Sequence, residues 1–159
     1  MSGGRESGVH DAVMRGDLLA VKKALELGEQ IDRLDREGRT PLFYAVNEGD
    51  LAIANELIAH GAKINIQDKN LETPLHFSAR AYNPDAALLL LKNGASVDMK
   101  DAYGNTPLST AVFESRRRGK VIRLLLAHGA DKTLKNNYGV SPEGLAKSIA
   151  NDVVARFLD

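Results

Sequence analysis

TPLFYAVNEGDLAIANELIAHG, residues 40 to 61, carries punctuation that recurs at a fixed interval along the chain. Thr40-Pro41 returns as Thr73-Pro74 and again as Thr106-Pro107, each step being 33 residues long. Gly61 follows the same ruler, with Gly28 one step back, Gly94 one step on, and Gly129 a further step plus two residues. A period of this size marks an array of units, none of which can bury its own apolar face without stacking on its neighbours.

Within one unit the physical chemistry is explicit. A threonine hydroxyl can accept a bond from an orphan amide of the first helical turn, and proline suits the next position, where no amide is missed. Thr40-Pro41 therefore opens a short helix, expected to turn Leu42, Ala45 and Val46 inward and to end near Gly49. Asp50 can cap a second helix, in which Leu51, Ile53, Ala54, Leu57 and Ile58 recur at spacings of three and four. Gly61 stops it, because glycine past a helix end adopts the left-handed conformation at little cost. Ala62 to Asn70 would then form an extended finger leading to the next unit.

TPLF, TPLH and TPLS in this register resemble the opening of the ankyrin repeat. The resemblance spans Gly8 to Asp159. It implies an all-α solenoid of stacked helix-turn-helix units joined by β-hairpin-like fingers. About four repeats and a C-terminal capping half-repeat fit the length, as a single domain over residues 8–159, with the Ser/Gly-rich residues 1–7 expected to be disordered. In the first repeat the opening has decayed to Ser7-Gly8-Val9-His10, and Asp11, Arg15, Lys22, Lys23 and Glu26 supply the polar face a terminal unit needs. At the other end Glu143 stands where the inner repeats have leucine, and Lys147 where they have alanine or valine.

Two repeats depart from the pattern. Leu71 occupies the finger position that Gly38, Gly104 and Gly139 fill elsewhere, so either that finger bends differently or an apolar side chain is displayed. Tyr82 replaces the glycine between two helices. The fourth repeat is two residues longer at the same place, where Phe113 to Lys120 reads FESRRRGK. Insertions confined to one unit of a solenoid map to loops on one face, often the binding face.

Composition excludes several functions. The 159 residues are 43% hydrophobic, enough for one continuous core, and the formal net charge is zero, so no global field draws the chain to nucleic acid or an anionic membrane. Cysteine is absent, which removes disulfides, thiolate metal sites and thiol nucleophiles. The N-terminus has no apolar run of signal-peptide length, and no segment approaches a membrane span, so a cytoplasmic location is expected.

Candidate chemistry is sparse. His60 and His128 close equivalent helices two repeats apart, roughly 20 Å, too far to share an ion. His10 and His76 occupy the TPLH-type position, where the resemblance implies a bond to the neighbouring repeat. The serines and threonines read as caps or loop residues, and Asp35, Asp68 and Asp101 recur with the period as turn formers. No catalytic pair, metal set or cofactor motif emerges, and the expectation is a protein that is not an enzyme.

Tyr103 and Tyr138 fall at the same finger-tip position of successive repeats, where a side chain cannot join the core. Displayed on a rigid scaffold, such rings fit the anchors that dominate protein interfaces. The row expected to touch a partner is Arg36, Glu37, Arg39, Lys69, Leu71, Tyr103, Asn105, Tyr138 and Phe113, although Phe113 could equally pack under the enlarged turn. Arg116 and Arg117 of the insertion form either a solvated loop or a contact for an acidic partner. The partner is expected to be another protein, with the chain monomeric when free.

Residues 104–150, from GNTPLST to AKSIA, look like small free-standing bacterial ankyrin proteins found beside polymorphic toxins. The similar parts are the Arg-rich turn, the Lys135-Asn136-Asn137 finger and the Gly139-Val140-Ser141-Pro142 opening. That resemblance implies an immunity protein that occludes a cognate toxin; a general scaffold or regulatory subunit is the alternative.

Overall fold

A computed structural model describes residues 8–149 and 152–158. The first seven residues, expected to be disordered, lie outside that range. Helices come in pairs: α1 Val9–Met14 with α2 Leu18–Glu26, α3 Pro41–Glu48 with α4 Leu51–Ala59, and α5 Pro74–Arg80 with α6 Pro84–Lys92. They continue with α7 Pro107–Glu114 and α8 Lys120–Ala127, then α9 Pro142–Ser148 and α10 Asp152–Leu158. The odd-numbered helices stack on one another in one layer, while α2, α4, α6 and α8 stack in a second. This is the all-helical solenoid that the period predicts.

The core is built as columns in step with the repeat. Val9, Leu42, Leu75 and Leu108 hold equivalent places in the first layer and are at most 1% exposed. Leu57, Leu90 and Leu125 do the same in the second layer. Each such leucine contributes about 1.5–3 kcal/mol when fully removed from water, and each needs the next unit to cover it. At the C-terminal end the Val9 column reaches Glu143, which is part-exposed.

The caps follow the sequence, with one correction. Asp17, Asp50 and Asn83 accept amide bonds from Ala20, Ile53 and Ala86 and start the second helices. Thr73, Thr106 and Ser141 cap α5, α7 and α9. Thr40 does not cap α3. The Phe43 amide it would bind donates instead to the Thr40 carbonyl at 3.1 Å, and the buried Thr40 hydroxyl has no hydrogen-bond partner among the described residues.

Leu71 resolves in favour of display. Its finger bends as the others do, with φ 57° against 77° and 78° at Gly38 and Gly104, and the leucine side chain remains 47% exposed. Left-handed backbone costs an L-residue about 1–2 kcal/mol. Tyr82 likewise takes the left-handed turn of Gly49, at φ 51°, yet is only 8% exposed. Its ring lies under the enlarged loop of the next unit, where the Arg118 guanidinium covers it at 4.1 Å and the hydroxyl donates to the Arg118 carbonyl.

The chain end, expected as a half-repeat, holds two short helices. Val154 and Leu158 of α10 are buried, and Phe157 closes over Gly119, where a Cβ would come within 2.1 Å of the ring. The Arg123 guanidinium lies over the same ring, 4.7 Å from the Phe157 centroid. Among the described residues, no helix is long and apolar enough to cross a membrane.

Candidate functional site

Four fingers are folded by one device. Asp35, Asp68 and Asp101 each use Oδ1 to accept two amides, two and four residues on, at 2.8–3.0 Å. Asn136 does the same for Tyr138 and Val140 in the last finger. The turn therefore needs the side-chain oxygen and not the charge. Successive tips are then tied by single backbone bonds of 2.9 Å, from Lys69 to Glu37, Ala102 to Asn70 and Asn137 to Tyr103. Among the described residues no strand forms, and these ties keep the tips in line.

Between the fingers and the first-layer helices of the last three units runs a groove of about 640 Å³. Tyr103, Phe113 and Tyr138 line it and are 58%, 67% and 74% exposed. Phe113 thus sits at the groove wall, not beneath the enlarged turn. Asn105 also lines the groove, where its side-chain oxygen accepts from Asn136 at 2.9 Å.

Arg39 closes the other end and is half committed to the fold. Its Nε donates to the buried Asp68 carboxylate at 3.1 Å, and its guanidinium lies 4.9 Å from the Phe77 centroid. Arg80 flanks the same ring at 5.2 Å and pairs with the buried Glu72 carboxylate. Phe77 in turn stands edge-on to Phe43 at 5.1 Å, which anchors this arrangement in the core.

The other expected contact residues fall elsewhere. Arg36 borders a separate N-terminal hollow with His10 and Asp35. Glu37 and Lys69 expose their side chains on the finger tips, outside the groove lining, as does Leu71. Arg116 and Arg117 are exposed at the tip of the insertion, with φ 44° and 69°. Arg118, by contrast, is occupied by Tyr82, so the run of cations is shorter in space than in sequence.

The histidines have local partners. His76 Nε2 bonds the Asn105 carbonyl of the next unit at 3.1 Å, and His10 bonds the Arg39 carbonyl likewise. The Thr73 amide donates to His76 Nδ1, which fixes the neutral tautomer with the proton on Nε2. Burial pushes the His76 pKa down from its usual value, against an upward pull from the Asn105 bond. His60 and His128 each bond a carbonyl one turn back in their own helices.

Glu72, Arg80, Asp101 and Glu114 also line the groove and were missing from the row read in the sequence. A signal existed for two of them. One period separates Arg39 from Glu72 and Glu72 from Asn105, and the same step links Arg80 to Phe113.

Stacked helix pairs with aligned finger tips and a lateral groove define a helical-repeat scaffold. A family model described as ankyrin repeats (three copies) matches residues 4–68 and 49–136, and the chain belongs to the ankyrin-repeat family. Repeats of this family serve as protein interaction modules and are typically not enzymes. The chain has no match among curated proteins.

Proposed function

We propose that the chain binds another protein through the groove of its last three units, with Tyr103, Phe113 and Tyr138 as anchors. The observation that carries this reading is the convergence of three large, exposed rings on one groove whose walls are fixed by neighbouring repeats. A preorganised surface loses little conformational entropy on docking. Asn105 and Arg39 supply polar contacts within the groove, Glu37, Lys69, Leu71, Arg116 and Arg117 are proposed for the periphery of the footprint, and Arg36, at the N-terminal hollow, falls outside it.

In its finer form the partner is a toxin domain, and the chain is a cytoplasmic immunity protein, monomeric when free, that occludes it. That form rests on the resemblance read in the Arg-rich turn, the Lys135-Asn136-Asn137 finger and the Gly139-Val140-Ser141-Pro142 opening of residues 104–150. Affinity capture from lysate of the source organism, with the Tyr103→Ala/Tyr138→Ala variant as control, tests both forms. One partner held by the wild type and lost by the variant, with thermal stability unchanged, supports the groove; a toxic activity in that partner, silenced on binding, supports the immunity role. Equal retention of all partners by both proteins would overturn the site assignment, and a non-toxic dedicated partner would leave a scaffold or regulatory subunit.

A further inference from the structure

The charges lining the groove do not balance. Five formally charged residues line it: Arg39, Glu72, Arg80, Asp101 and Glu114. Both arginines are engaged, Arg39 with Asp68 and Arg80 with Glu72, and each lies against Phe77. The charge of each arginine is thus already matched by a carboxylate. Among the described residues, no cation pairs with Asp101 or Glu114. Asp101 spends Oδ1 on the amides of Tyr103 and Asn105, and its negative charge stays beside the aromatic wall.

Exposed aromatic rings and carboxylates without a paired cation attract the same kind of group. A ring quadrupole favours a cation over its face, and a carboxylate at the edge adds direct attraction, while an acidic side chain would meet like charge. We propose that the groove receives a lysine or arginine side chain presented by the protein partner, with the cation among Tyr103, Phe113 and Tyr138 and beside Asp101 and Glu114. This rests on the groove being the protein-binding site. It adds the chemistry of the segment bound there.

A random peptide library selected on the immobilised full chain tests it, in parallel with the Asp101→Asn/Glu114→Gln variant. Asn136 performs the Asp101 turn without a charge, so this variant keeps the finger. The expected result is enrichment of peptides containing lysine or arginine on the wild type. Those peptides should bind the charge-neutral variant about tenfold more weakly and the Tyr103→Ala/Tyr138→Ala variant no better. Enrichment of acidic or uncharged peptides, no enrichment at all, or basic peptides held equally by the neutral variant would each overturn the proposal. Failure by acidic or uncharged peptides that still need Tyr103 and Tyr138 would leave the groove itself standing as the binding site. Peptides indifferent to both tyrosines would remove the groove as well.

Discussion

The second and third units share Thr-Pro-Leu and the same length, yet three equivalent positions behave differently in them. Among the described residues the buried Thr40 hydroxyl has no partner, whereas Thr73 forms a reciprocal cap with His76. Gly38 turns its finger without strain, and Leu71 makes the same turn with an exposed apolar side chain. Gly49 is a bare inter-helix turn, and Tyr82 uses that conformation to lay a ring under the next unit. A repeat template therefore fixes backbone geometry, while each departure is explained by what the neighbouring unit presents to it.

The comparison breaks hardest at Tyr82. Were the turn all that mattered, Tyr82→Gly would stabilise; we expect instead a net loss of about 2 kcal/mol. Losing a buried aromatic ring costs ~3 kcal/mol or more, offset by about 1 kcal/mol of relieved backbone strain. Urea unfolding of the two proteins decides it. Next in size, Thr73→Val should cost about 1 kcal/mol by removing a cap, whereas Thr40→Val should cost nothing and could gain up to about 1 kcal/mol by deleting an unpartnered hydroxyl. Equal losses at both sites would show that Thr40 caps α3 in solution.

Leu71→Gly should stabilise by about 0.5–1 kcal/mol, since the left-handed conformation is relieved and a half-exposed side chain gives up little packing. A raised midpoint together with weaker partner binding would assign the strain to function. The last effect is absent at neutral pH and grows on acidification. His76 is neutral in the fold, and burial lowers its pKa below the unfolded value of 6.5. Above about pH 6.5 both states are neutral and the stability is whole. As pH falls from there through the folded value the unfolded chain binds the extra proton, and stability is lost. His76→Ser, which copies Ser109 of the fourth unit, should start less stable and lose this acid-dependent component in pH-resolved thermal melts.

Much of the architecture was legible because it depends on local chemistry repeated at one interval. Pro at the first position of α3, α5, α7 and α9, Asp or Asn before α2, α4 and α6, and glycine beyond the second helices specify helix pairs whatever lies around them; α8 follows Gly119, which makes no side-chain cap. The Tyr103/Tyr138 alignment was legible on the same ground, as was the turn role of Asp35, Asp68 and Asp101. Reading the register strictly would have added Glu72 and Arg80 to the row.

The sequence by itself determined the period, the boundaries of the helix pairs and which finger positions face outward, since caps, turns and apolar spacing act over a few residues. Only the tertiary structure decided which charges are free. Arg39 and Arg80 are paired with acids near and far in sequence, Arg118 lies over Tyr82 of the preceding unit, and among the described residues no cation pairs with Asp101 or Glu114 in the groove. The Arg39–Asp68 and Arg118–Tyr82 contacts depend on distances between side chains of different repeats, and those distances exist only once the units have stacked.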